Sequence, residues 1–133
     1  MFIAFAVLSL PISICDLRTF KIPNIYLLLL TYCTLPALLI YGVGNLSQLS
    51  LVLLTLAVLY WAGMGMGDIK LIALISLLIN LNPASSLVDF AGCILAVSIF
   101  HTGLVALISR SIPSRIALAP SIFAGLFLYL ATR

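Results

Sequence analysis

The chain has 133 residues, of which 65% are hydrophobic and 7% are charged, and its mean hydropathy is +1.37. Soluble globular domains carry about 25% charged residues, so this composition excludes that class and predicts an integral membrane protein. The formal net charge is only +3, and we expect the lipid bilayer, and no nucleic acid, as a partner.

Apolar runs recur along the whole sequence and predict an all-α, polytopic membrane protein with about six transmembrane helices in a single domain, residues 1–133. The first run lacks the basic segment of a secretory signal and is expected to be a retained helix that continues past Asp16. Pro11 and Pro36 lie inside spans and predict kinks rather than helix ends. The predicted spans are residues 2–16, 25–41, 47–63, 66–82, 87–108 and 116–132.

The basic residues predict the orientation of these spans. Arg18 and Lys21 lie between the first two spans, Lys70 joins the third to the fourth, and Arg110 and Arg115 lie between the last two. All of these junctions fall on one side of the membrane, and the loops on the other side carry no basic residue. The positive-inside rule therefore places these junctions in the cytoplasm and the N-terminus outside.

Two of the three acidic residues, Asp16 and Asp68, lie at span edges on this same side. The chain crosses the membrane twice between them, so both carboxylates return to one leaflet. Ionisable groups at membrane depth are costly and are functional candidates. Two adjacent carboxylates can share a proton and act as acid and base on water and a carbonyl oxygen, without a metal or a cofactor. We therefore predict an aspartate dyad suited to peptide hydrolysis.

The stretch GMGMGDIK, residues 63–70, places three alternating glycines before Asp68. A glycine inside a helix costs about 1 kcal/mol relative to alanine, so Gly63, Gly65 and Gly67 predict a loosened start of the fourth span that another backbone can approach. In the alternative interpretation the glycines only mark a turn. Residues 68 and 70 of a helix point in different directions, so Lys70 is not expected to pair with Asp68; it either snorkels to the membrane surface or contacts substrate.

The stretch DLRTFKIPN, residues 16–24, precedes the second span. Pro23 suits the first turn of a helix, and the side chain of Asn24 can bond to loop backbone. Arg18 and Lys21 are explained by topology alone, although they can also meet anionic lipid or an acidic substrate residue.

Together the two stretches resemble the motifs of the type IV prepilin peptidases, membrane aspartic proteases of the GxGD class, and ALAPSIFAG near the C-terminus resembles the final segment of that family. The matching residues are Asp16, Ile22, Pro23 and Asn24 in the first stretch, and Gly65, Gly67, Asp68 and Lys70 in the second.

The resemblance implies a multi-pass protein of the bacterial inner membrane that removes basic leader peptides from prepilins or pseudopilins at the cytoplasmic face. It implies that Asp16 and Asp68 are the catalytic pair and that the other matching residues support the site or bind substrate. The sequence lacks the paired CxxC motifs of larger members, so we expect the short form found with tight-adherence (Flp) pili, without a soluble methyltransferase domain. Archaeal preflagellin peptidases remain possible relatives.

Two other functions stay open at this point. In a small proton-coupled transporter the two aspartates would relay protons, although acidic groups would then be distributed through the membrane depth. In a non-catalytic secretion-system subunit, asparagine at either position would leave function intact.

Several weaker features carry structural predictions. Small residues four apart predict packing seams at Ala117, Ser121 and Gly125, and at Gly92 with Ala96. His101 is expected to bond to a neighbouring helix, and Asp89 to cap the fifth span or face water. Cys15, Cys33 and Cys93 form no metal-binding or disulfide pattern.

Overall fold

The computed structural model describes residues 2–42, 44–80, 86–109 and 116–132, and over these residues it contains six α-helices and no strand. Each predicted span agrees with a helix to within three residues at either end, and the first helix continues past Asp16 as expected. The helices are α1 (Phe2–Thr19), α2 (Asn24–Tyr41), α3 (Leu46–Trp61), α4 (Met66–Asn80), α5 (Leu87–Ser109) and α6 (Ala119–Ala131).

Helix α4 occupies the centre of the fold. It packs against α2, α3, α5 and α6, and its side chains from Leu71 to Asn80 are buried or half-buried. This burial is possible because α4 is apolar on almost every side after its first turn. The charged first turn of α4 is therefore attached to the most enclosed helix of the described chain.

Helices α5 and α6 form the most extensive helix pair. A Cβ added at Gly125 would lie 2.8 Å from the Cα of Ile94, so the two backbones approach there as closely as a glycine permits. Ala117 and Ser121 are buried, and the predicted seam on α6 is confirmed. The predicted seam on α5 is wrong, because Gly92 and Ala96 are exposed and Gly92 has open space beside it.

Large apolar side chains cover the outside of the helices, among them Leu39, Trp61 and Leu107, with exposures of 79, 91 and 80%. Exposed apolar surface of this extent is characteristic of contact with lipid. By length and composition, residues Asn24–Tyr41 and Leu87–Ile108 can each cross a membrane, and α3 and α6 are shorter apolar helices. The six-span topology stays a prediction, and the loop at 81–85, Arg110, Arg115 and Arg133 lie outside the described residues.

Candidate active site

Asp16 lies in the last turn of α1, and only 3% of its surface is exposed. Its Oδ2 accepts a hydrogen bond of 2.9 Å from the backbone N–H of Ala119, the first residue of α6. The first N–H groups of a helix have no partner within the helix and carry a partial positive charge. The start of α6 therefore stabilises a negative charge on Asp16 and fixes one of its oxygens.

Asp68 lies in the first turn of α4 and is half-buried. Its charge interacts with that of Asp16, so the structure brings the two carboxylates into one site although they lie 52 positions apart in sequence. The Oδ1 atom of Asp68 is buried and has no hydrogen-bond partner among the described residues. The two aspartates thus differ: one has a fixed backbone donor, and the other has a buried oxygen with none.

A contact between Ile22 and Gly67 joins the two sequence stretches. Ile22 is buried, and a Cβ added at Gly67 would lie 3.0 Å from the Cβ of Ile22 and 3.5 Å from its backbone nitrogen. The loop after Asp16 therefore rests directly on the helix that carries Asp68. Any side chain at position 67 would push this loop away from α4.

The other glycines of the second stretch serve different purposes. Gly63 has a φ of 96° in the turn between α3 and α4, with nothing near its missing side chain, which is the turn role that the alternative interpretation gave it. A Cβ added at Gly65 would lie 3.0 Å from Oδ2 of Asp68, so this glycine leaves space for the carboxylate. The turn interpretation is therefore correct for Gly63, and the expected close approach of another backbone is seen at Gly67, whereas the expected loosening is not, because α4 is helical from Met66.

The loop between α1 and α2 is held by local bonds. The hydroxyl of Thr19 lies 2.8 Å from the carbonyl oxygen of Cys15 and 3.1 Å from that of Lys21. Phe20 ends α1 with a φ of 52°, a left-handed conformation that is unusual for a bulky residue. Pro23 directly precedes α2 with a φ of −62°, and Asn24 is exposed as the first residue of that helix.

Two cavities flank α4. The larger, about 720 Å³, lies between α3, α4 and α5, and its wall on α4 includes Ile72 and Ser76, which follow Asp68 at four-residue intervals. The smaller, about 540 Å³, lies between α2, α3 and α4, and its wall on α4 includes Lys70 and Ala73. Lys70 is exposed. It therefore faces a different cavity from the one that follows Asp68 along the helix, which agrees with the expectation that the two do not pair.

The sequence model of the type IV leader peptidase family matches residues 3–131. The chain belongs to this family. The resemblance seen in the two aspartate stretches is therefore confirmed, and membership makes the chain a membrane-associated peptidase. The comparisons with curated proteins and with solved structures give no match.

The bond from Ala119 to Asp16 was not foreseen from the sequence. It joins residues 103 positions apart, and the only signal for it is Pro120, which marks the start of a helix without indicating what lies opposite. The expectation for His101 is confirmed, because its Nδ1 lies 2.8 Å from Oγ of Ser121 on α6. Asp89 is exposed in the first turn of α5. Within the described residues, no three His, Cys, Asp or Glu side chains form a metal-binding group.

Proposed function

We propose that this leader peptidase is an aspartic endopeptidase that removes the basic leader from type IV prepilin-like substrates at the cytoplasmic face of the membrane. Asp16 and Asp68 form its catalytic pair. The observation that carries the proposal is the meeting of two carboxylates from separate helices in one largely buried site, where their charges interact.

The different surroundings of the two carboxylates support different roles for them. The hydrogen bond from Ala119 fixes one oxygen of Asp16, and we assign Asp16 as the base that takes a proton from water as the water oxygen attacks the carbonyl carbon. Asp68 has a buried oxygen without a partner, which suits a shared proton, and it donates this proton to the carbonyl oxygen.

Collapse of the tetrahedral intermediate completes the reaction. Asp16 returns its proton to the leaving amine as the C–N bond breaks, and Asp68 recovers a proton from the hydroxyl that becomes the new carboxyl group. Both residues end in their starting protonation states, and one water has been consumed. The cycle needs no group beyond the two aspartates and water.

The larger cavity supports an apolar segment on one side of the cleaved bond. It follows one face of α3 from Gln48 to Leu59, which is about 17 Å at 1.5 Å per residue. It also reaches Leu118, the neighbour of Ala119. A substrate whose hydrophobic helix follows the leader would place that helix along this cavity, with the scissile bond beside the aspartates.

The proposal is tested by co-expressing the protein with a prepilin-like substrate and identifying the cleaved product by gel mobility and mass. Asp16→Asn and Asp68→Asn should each abolish processing, whereas Asp89→Asn, which changes the exposed third aspartate, should leave it intact. Processing that continues at the wild-type level in either Asp16→Asn or Asp68→Asn would reject the proposal and favour a non-catalytic role.

A further inference from the structure

The smaller cavity has one polar end, and apart from Thr31 the rest of its wall is apolar. Lys70 and Asn24 lie near the starts of α4 and α2, at the same end of the fold, and both line the cavity. Beyond them the wall is formed mainly by leucines, among them Leu28, Leu53 and Leu77. The cavity therefore combines a cation and an amide with a hydrophobic interior.

The depth of this cavity fits within one leaflet of a bilayer. Its wall on α4 runs from Lys70 to Leu77, and its wall on α2 runs from Asn24 to Thr31. Seven residues of helix correspond to about 10 Å, and half of the hydrocarbon core of a bilayer is about 15 Å thick. A molecule with its polar group at Lys70 would thus have its apolar part within a single leaflet.

We propose that this cavity binds an anionic phospholipid of the leaflet nearest Lys70. The lipid phosphate lies against the Lys70 ammonium and the Asn24 amide, and an acyl chain lies between the leucines of α2, α3 and α4. Complementary charge favours an anionic lipid over a zwitterionic one, because the polar end presents a cation and, among the described residues, no acidic side chain lines this cavity.

The position of the cavity distinguishes this lipid from the peptide substrate. Lys70, Ala73, Leu74 and Leu77 recur along one side of α4, whereas Ile72 and Ser76 line the cavity on the side of Asp68. A substrate peptide with an acidic residue at Lys70 would have to pass around α4 to place its scissile bond beside Asp68. The lipid site does not depend on the proposed proteolysis, and it gives Lys70 a role separate from catalysis.

Native mass spectrometry of the delipidated protein tests this proposal. The probes are dioleoyl phosphatidylglycerol and dioleoyl phosphatidylcholine, which differ in headgroup charge but share their acyl chains. The wild type should retain one phosphatidylglycerol in preference to phosphatidylcholine. Lys70→Gln should weaken phosphatidylglycerol retention about five-fold, and Lys21→Gln, which removes an exposed cation that does not line the cavity, should leave it unchanged.

A matched pair on α3 tests the apolar part of the site. Leu53 lines the smaller cavity and Leu51 the larger one, and their exposures are similar at 52 and 58%. Leu53→Trp should reduce retention of both lipids, whereas Leu51→Trp should not. Repeating the measurement in Asp68→Asn should give the wild-type result, because lipid binding does not require cleavage.

Three results would overturn the lipid site. Equal retention of the two lipids by the wild type would remove the charge preference. Equal losses of phosphatidylglycerol retention in Lys70→Gln and Lys21→Gln would show that any surface cation attracts the lipid and that the cavity does not bind it specifically. If Lys70→Gln impaired substrate cleavage while phosphatidylglycerol retention stayed unchanged, Lys70 would be assigned to the peptide instead.

Discussion

The two sides of α4 deal with charge in opposite ways. On one side Asp68 is half-buried and close to a second carboxylate, and Gly65 leaves space for its side chain. On the other side Lys70 is exposed at the end of an apolar cavity. A short aspartate side chain cannot reach away from its helix, so its surroundings must accommodate it, whereas a lysine extends its ammonium group toward water. The difference suggests that chemistry belongs to the first side and lipid contact to the second.

Removing the charge on each side should give the largest contrast. Asp68→Asn keeps the shape of the side chain but cannot exchange a proton, and loss of one acid–base group lowers a rate by about 10²–10⁴-fold. Lys70→Gln should change cleavage by no more than about five-fold, the effect of one charge at a membrane surface. Initial rates on a purified substrate in nanodiscs measure both. Comparable losses in the two variants would remove the distinction between the sides.

Adding a side chain at Gly67, where the two sequence stretches touch, should have the next largest effect. Gly67→Ala puts a Cβ 3.0 Å from that of Ile22, so the loop must shift by a few tenths of an ångström. Because a 1 Å misplacement costs about 10²-fold in rate, we expect about a ten-fold loss of kcat. Gly92→Ala is the control, since this glycine is helical, exposed and has open space beside it. Wild-type turnover by Gly67→Ala would show that the contact between Ile22 and Gly67 does not determine the positions of the two aspartates.

Larger side chains in the two cavities should have different effects on KM for the substrate. Leu51→Trp occupies part of the larger cavity and should raise KM for a substrate with its hydrophobic helix about ten-fold, the low end of overpacking costs. It should spare a short peptide that ends soon after the scissile bond. Leu53→Trp fills the other cavity and should leave both KM values near those of the wild type. If Leu53→Trp raised KM more than Leu51→Trp, the hydrophobic helix of the substrate would bind in the smaller cavity, and the assignment to the larger cavity would be wrong.

The smallest expected effect concerns the bond that ties the start of α6, which contacts Asp16, to α5. Ser121→Ala removes the bond to His101 that ties the first turn of α6 to α5, and such bonds in membranes contribute about 0.6–1.7 kcal/mol. Unfolding in mixed micelles should show a loss of that size. Ser50→Ala is the control, because the hydroxyl of Ser50 bonds to the carbonyl of Ser47 in its own helix. Equal stabilities for the two variants would contradict a supporting role for the His101 bond.

The sequence predicted the helices well and their contacts only in part. Apolar runs bounded by polar clusters predicted the six helices, and the separation of positions 68 and 70 around a helix predicted that Asp68 and Lys70 point in different directions. The seam at Gly92 was wrong because residue spacing does not reveal which face of α5 meets α6. The bond from Ala119 to Asp16 could not be foreseen, since a backbone N–H has no residue-specific signal and its partner is distant in the chain.

The membrane position of the site stays a prediction from the basic residues. Arg18, Lys21 and Lys70 are all exposed, and they flank the end of the fold at which the two aspartates meet. The positive charge at this end agrees with a cytoplasmic location under the positive-inside rule.

The central claim is that Asp16 meets the Asp68 side of α4, and disulfide trapping tests it most directly. Cys15, Cys33 and Cys93 are first replaced by serine, and pairs of cysteines are then introduced at positions 16 and 68, or at positions 16 and 70. Mild oxidation in native membranes should cross-link the first pair and leave the second reduced, because residues 68 and 70 point in different directions from α4. Efficient cross-linking of the 16–70 pair, with none for the 16–68 pair, would contradict the account.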